Sequence, residues 1–430
     1  MIKSIVDKTK AIFRDPVLKK KIIFTFLLFL IFRIFAFLPV PAVNLAKLKI
    51  LFAQSQFLSL LDIFSGGTLA NFSILALGLG PYINASIIIQ LITLVIPDLE
   101  KLQKEGEYGR AKINQYTRLL TIPIAIFQGI GMYALLSNQK ILTNLNPIEF
   151  ISFITTITAG TFIVMWLGEL ITEFGVGNGI SLLIFAGIVA RLPVNFTQVL
   201  VNINAESFLN LVVLVGILIT VVFSVVFTNE AIRKIPVFYS KRSKGGSQTA
   251  QGQTTYLPLK LNQAGVIPII FAVSFVLFPQ MLGNFLGVVK NPAVQNFGNS
   301  MMRAFDPSGF FYNFIYFILV VAFTFFYTMV VFNPQKISEE IQKHGGFIPG
   351  IRPGVATKEY LEMILYKTTG FGAVFLGIIA ILPTIASKIT NIPNVVIGGT
   401  GILIIVSVVL ETYKSIEAQM VMKNYDKFIN

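Results

Sequence analysis

Cysteine is absent from the chain, and histidine occurs once, at His344. No disulfide, cysteine-ligated metal site or thiol nucleophile is therefore available. A single histidine also excludes a two-histidine zinc site, and no Ser-His-Asp triad can be assembled within apolar spans that hold none. Charge is scarce as well. Only 13% of the 430 residues are charged, whereas 54% are hydrophobic, and a soluble domain carries about a quarter charged residues. Long stretches have no charge at all, including Ile22–Phe32, Ile151–Gly168 and Leu209–Thr228. A run of about 20 apolar residues is long enough to cross a bilayer core as a helix. The chain reads as a polytopic membrane protein.

Ten spanning segments are expected, over residues 22–38, 72–96, 117–136, 151–172, 179–200, 209–228, 264–286, 310–332, 369–387 and 395–413. Arg191 and Pro193 interrupt the fifth. The first is expected to be retained rather than cleaved, because Leu38-Pro39-Val40-Pro41 offers no small-x-small cleavage site. An even number of spans puts both termini on one side. That side collects 26 of the 34 Lys and Arg residues, against 7 on the other, with Arg33 inside the first span. The bias predicts cytoplasmic termini and accounts for much of the net charge of +14. Basic cytoplasmic loops are also compatible with docking on RNA or an acidic partner. Arg33 lies five residues before Leu38, roughly 7–8 Å of helix from the outer end. It either snorkels to the outer headgroups or pairs inside the bundle.

Three stretches depart from a plain bundle. Phe57–Phe64 would be only about 12 Å long as a helix. It lies in the interface or re-enters the bilayer where protein or a water-filled cavity surrounds it, and its composition favours the interface. In Ala76–Gln90, Gly78, Gly80 and Pro81 interrupt an apolar span, and Asn84, Ser86 and Gln90 add hydrogen-bonding groups. Close helix packing or a functional bend both explain them. In Glu173–Ser181, Gly175, Gly177 and Gly179 form a tight turn or permit a close backbone approach.

Two cytoplasmic loops are large. In the loop between spans 6 and 7, Val237–Ser240 and Thr254–Leu257 are expected to pair as strands flanking a basic tip with Lys241, Arg242 and Lys244. The loop between spans 8 and 9 holds a polar helix near Pro334–Lys343, then Phe347–Gly354, FIPGIRPG. Its two Pro-Gly pairs stiffen the turn that presents Arg352. Arg352 is either a docking residue or part of a solvated loop.

No clear ionisable residue lies mid-span in spans 2, 7, 8 or 9. Ion-coupled carriers usually keep such groups at the midplane. A wide pore that must stay closed to ions needs an apolar constriction instead. The residues therefore argue against an ion-coupled carrier, and leave a passive channel with no catalytic site, cofactor or metal to be weighed against a small-solute secondary transporter and, behind it, a membrane enzyme.

Several motifs then become specific. They are Phe32-Arg33-Ile34, Pro39-Val40-Pro41, Phe64-Ser65-Gly66-Gly67, Ala76–Leu91 (ALGLGPYINASIIIQL), Glu105–Arg118 (EGEYGRAKINQYTR), Met165–Leu192, Leu257–Pro268 (LPLKLNQAGVIP), Phe332-Asn333-Pro334, Phe347–Gly354 and Gly398-Gly399-Thr400. In this order on a ten-span chain, they resemble the SecY family, the central subunit of the Sec translocon, essentially end to end.

The resemblance implies an all-α membrane fold of ten helices in two inverted five-helix halves around a central hourglass pore. The halves would be residues 1–200 and 201–430, the second with cytoplasmic loops 229–263 and 333–368. A short re-entrant plug near 57–71, with Leu61, Phe64, Ser65, Gly66 and Gly67, reverses the interfacial preference. The implied pore ring is Leu79, Ile83, Ile180, Ile184, Ile270 and Ile404. Six aliphatic side chains offer no charge to an ion and can refit around a peptide of any sequence. The lateral gate, between spans 2–3 and 7–8, would carry Asn84, Gln90, Gln128 and Asn262, each hydrogen bond contributing about 0.5–2 kcal/mol. Lys241, Arg242, Lys244 and Arg352 would dock the SecA ATPase or the ribosome. SecE and SecG are the expected companion subunits, signal-sequence-bearing proteins the substrates, and the plasma membrane the location.

Overall fold

The computed structural model describes residues 15–40, 43, 47–48, 62, 65, 67–138, 141–142, 145–201, 208–239, 253–287, 291–307, 309–390 and 399–429. Helices dominate. In chain order they are α1 (Pro16–Phe37), α2 (Gly80–Val95), α3 (Pro97–Lys104), α4 (Glu107–Asn138), α5 (Pro147–Phe174), α6 (Gly179–Val201) and α7 (Phe208–Glu230). Strands β1 (Ile232–Tyr239) and β2 (Gln253–Lys260) follow, then α8 (Ile267–Leu286), α9 (Pro292–Ala304), α10 (Phe310–Val331) and α11 (Pro334–Lys343). Strand β3 (Gly346–Phe347), α12 (Val355–Thr390) and α13 (Gly399–Ile429) complete the chain.

Four helices start on the same dipeptide chemistry, with Asp or Asn followed by proline: Asp15-Pro16, Asn146-Pro147, Asn291-Pro292 and Asn333-Pro334. The Asx side chain caps an orphan backbone N–H, and proline at the first helical position loses no hydrogen bond. Asp15 Oδ1 accepts from Val17 N–H at 2.9 Å, Asn291 Oδ1 from Ala293 at 3.0 Å, and Asn333 Oδ1 from Lys336 at 3.1 Å. At α5 the reverse bond is present, with Asn146 N–H donating to Glu149 Oε2 at 2.8 Å.

The ten expected spans correspond in order to α1, α2, α4, α5, α6, α7, α8, α10, α12 and α13. Taken alone, α4, α5, α7 and α12, and α10 running into α11, are long and apolar enough to cross a bilayer. Helices α2 and α3 form one more such unit, bent by 109° at Ile96-Pro97, and α6 and α8 contain shorter apolar helices. In α1 and α13 the apolar run shares its helix with charges, Lys19, Lys20, Lys21 and Arg33 in one and Glu411, Lys414 and Glu417 in the other. Large apolar side chains point outward along the spans, among them Phe26, Val95, Phe223 and Phe227, each at least two-thirds exposed. Water would penalise such a surface, whereas lipid suits it.

The second span is shorter than expected. Residues 72–79 form successive turns, because Phe72 and Gly78 have positive φ (41° and 54°) and break any helix there. Pro81 consequently sits in the first turn of α2 instead of bending a longer helix. The fifth span runs through Pro193 as one helix. The ninth and tenth extend well beyond their apolar cores, at the start of α12 and the end of α13. Both readings of the glycine turn hold. Gly177 has φ +73°, and a Cβ at Gly179 would collide with the Gly168 carbonyl oxygen where α6 crosses α5.

The chain forms two compact units. The first comprises Met1–Phe208, Ser274–Tyr312 and Ile404–Asn430; the second comprises Leu209–Val273 and Asn313–Leu403. In the second, β1 and β2 pair antiparallel over their full length, with Val237 opposite Thr255, as the loop pattern predicts. β3 adds a third strand on β1, Phe238 opposite Phe347, which was not expected. One sheet face buries Ile235, Val237 and Leu259 against Ile341, Ile348, Leu361 and Ile364.

Candidate functional site

Leu79 caps α2, and Ile83 follows one turn later, its N–H donating to the Leu79 carbonyl at 2.9 Å. Both side chains are buried. Ile180 and Ile184 repeat this one-turn spacing at the start of α6, Ile184 buried and Ile180 half-buried against Gly168. Ile404 is buried on α13 in the same unit. Ile270, half-buried on α8, belongs to the second unit. All six positions lie on span helices or their caps and carry no polar group.

Of the plug residues, Leu61, Phe64 and Gly66 lie outside the described residues. Ser65 and Gly67 are buried in a tightly bonded turn that leads into α2. The Asp62 carbonyl accepts from Gly67 N–H at 2.8 Å and from the Ser65 hydroxyl at 3.0 Å. Ala70 N–H donates to Asp62 Oδ1 at 2.8 Å, and the Thr68 hydroxyl reaches the Leu75 carbonyl at 2.7 Å. Beyond the turn, Ile74 N–H donates to the Leu38 carbonyl and Val40 N–H to that of Phe72, both at 2.9 Å. The segment after α1 is thereby laced to the segment before α2. Phe72 and Leu75 are fully buried, Phe72 stacking on Phe153 of α5 at 5.8 Å.

The turn also holds a residue that the sequence reading missed. Asp62 is fully buried and forms an ion pair with Arg191 of α6. The available signal was a lone carboxylate in an apolar stretch, together with an arginine that seemed to interrupt a span. Arg33 stands 4.7 Å from the centre of the Phe37 ring. Arg118 Nε meets Glu169 Oε1 at 2.8 Å, tying α4 to α5.

The four gate residues differ in their surroundings. Asn84 is half-buried on α2. Gln90 Nε2 donates to Ser86 Oγ at 3.1 Å within the same helix. Gln128, half-buried on α4, places its Oε1 beside Gly80 at the start of α2. Asn262, in the second unit, is buried, and its Nδ2 donates to Asn229 Oδ1 at 3.0 Å and to the Gly265 carbonyl at 3.2 Å.

Lys241, Arg242 and Lys244 lie outside the described residues. Arg352 is exposed on a turn that its neighbours hold firmly. Its carbonyl accepts from the Thr357 hydroxyl at 2.9 Å, and the Ser338 hydroxyl of α11 donates to the Gly354 carbonyl at 2.8 Å. Ile351 N–H closes the turn onto the Ile348 carbonyl at 3.0 Å. Near the start of α4, the Lys112 ammonium sits over the Tyr108 ring, 4.8 Å from its centre.

Residues 73–413 match the SecY family. Protein translocase subunit SecY of Halalkalibacterium halodurans is 41% identical over 429 residues, covering 97% of this chain and 98% of that protein. Two solved structures share the fold. One is a SecY protein whose plug domain stabilizes the closed state of the translocation channel and maintains a membrane seal. It has a TM-score of 0.65 and 21% identity, over 95% of this chain and 94% of that one. The other is Sec61 in the canine ribosome-channel complex from the endoplasmic reticulum, with a TM-score of 0.64 and 18% identity over the same shares. With a family match over most of its length and a relative aligned nearly end to end, this chain belongs to the SecY family.

Proposed function

We propose that this chain is the channel subunit of a protein translocase. It passes unfolded secretory polypeptides across the plasma membrane and releases signal sequences and transmembrane segments sideways into lipid. SecE braces it, SecG joins as a third subunit, and the SecA ATPase or the ribosome supplies the drive. The channel itself is passive and catalyses no bond change. Its termini are cytoplasmic, and residues 1–200 and 201–430 act as two halves around an hourglass pore.

The observation that carries this reading is a repeated aliphatic step at two helix starts. Leu79 and Ile83 open α2 just after the plug turn, and Ile180 and Ile184 open α6 with the same one-turn spacing. The family resemblance assigns Ile270 and Ile404 to the same apolar constriction, a lining that resists wetting and gives an ion no ligand. Ser65 and Gly67, with Leu61, Phe64 and Gly66, belong to the plug that covers it at rest. Asn84, Gln90, Gln128 and Asn262 tune the lateral gate. Arg352, held out on its braced turn, docks the motor or ribosome together with Lys241, Arg242 and Lys244, and contact with RNA there is salt-sensitive.

The experiment is reconstitution in vesicles with the companion SecE subunit, adding SecA, ATP and a precursor bearing a signal sequence. ATP-dependent protection of the precursor from protease, lost when the signal is removed, is the expected result. No protection, with folded channel and active motor verified, refutes the reading.

A further inference from the structure

The Asp62–Arg191 pair joins two regions that are distant in the chain, the turn before α2 and the second half of α6. Asp62 is fully enclosed, while about a quarter of the Arg191 side chain meets solvent. The turn is built around the carboxylate, with Ala70 N–H on Oδ1 and Arg191 on Oδ2. The arginine holds the turn with its stem as well as its charge. A Cβ at Gly67 would lie 3.0 Å from Arg191 Nε, 3.1 Å from Cγ and 3.3 Å from Cδ. Gly67 also has φ +78°, so glycine serves there for conformation and for space.

A buried ion pair adds little net stability against well-packed apolar side chains, but removing one partner strands a buried charge. Such a pair fixes position more than it adds stability. The turn can leave α6 only when water or a polar chain is present to solvate both Asp62 and Arg191.

We propose that the Asp62–Arg191 pair is a specificity-determining latch, which sets how strong a signal sequence must be before the channel opens. This rests on the translocase reading above. A strong signal sequence displaces the turn despite the latch, and a weak one does not. Neutralising either partner lowers the threshold, so defective signals pass.

The test uses the reconstituted complex with two precursors, one with an intact signal and one with a charged residue in the signal's apolar core. The readout is the ratio of defective to intact precursor protected. Asp62→Asn and Arg191→Gln should each raise that ratio about tenfold, because each leaves one charge without its partner. The double variant, which lacks the same latch, should match the single variants instead of multiplying their effects, a coupling that independent structural damage does not produce. Arg191→Lys keeps the cation and should stay within about threefold of wild type, which keeps the test open if a neutral variant does not accumulate. Wild-type ratios in the single variants, or additive effects in the double, overturn the latch. Failure of wild type to transport the intact precursor overturns the translocase reading instead.

Discussion

Ile404→Asn should turn a sealed resting channel into a leaky one. Ile404 is 1% exposed on α13. Losing a buried aliphatic side chain costs about 1.5–3 kcal/mol. Enclosing an amide without partners adds about 1–3 kcal/mol. Together they disfavour the closed packing by roughly 2.5–6 kcal/mol. On the ring assignment an open pore wets this position, so the cost falls on the closed state alone. At about 1.4 kcal/mol per decade, the closed-to-open ratio drops by about 10²–10⁴. Ion flux through resting complexes in vesicles should rise accordingly, and Ile83→Asn, at a position 7% exposed, should do the same. Ile404→Val stays apolar at a cost of about 0.5–1.5 kcal/mol and should change flux by less than about tenfold. Wild-type flux in both asparagine variants would refute the ring assignment.

Arg352→Glu should depress motor- or ribosome-driven transport while thermal stability stays within about 0.5 kcal/mol, since the side chain is exposed and its loop is held by backbone bonds. Full-rate transport would remove its docking role. Gly179→Ala should cost about 1–3 kcal/mol or more and sharply reduce folded protein recovered in detergent, because the new methyl meets the Gly168 carbonyl. Asn333→Ala should destabilise the start of α11 by about 1 kcal/mol, seen as faster amide exchange at Lys336.

The spans were legible because apolar runs of bilayer length have no other stable home in a bundle of this size. The strand pair was legible from its residue types, whereas β3, only two residues long, carries no pattern of its own. α9 was missed because its composition is mixed and its start depends on the Asn291 cap. Residues 72–79 read as helix because they are apolar, and the positive φ values of Phe72 and Gly78 overrule composition. The ring positions are a harder case. An isoleucine on an apolar helix looks like any other, so only the motif resemblance singled out Ile83 or Ile404. Asp62 and Arg191 are each visible in the sequence, but their pairing is a tertiary fact that no local period encodes.

The absence of cysteine allows the central claim to be tested with single probes. A precursor arrested midway by a folded C-terminal domain and carrying one cysteine would be offered to channels bearing Ile83→Cys, Ile184→Cys, Ile404→Cys or, as an outward-facing control, Phe223→Cys. The account predicts that oxidation links the arrested chain to positions 83, 184 and 404, that the link requires ATP and the signal sequence, and that position 223 stays unlinked. Links at 223 equal to those at the ring, or none at any ring position with the precursor verifiably arrested, would contradict passage of the polypeptide through this constriction.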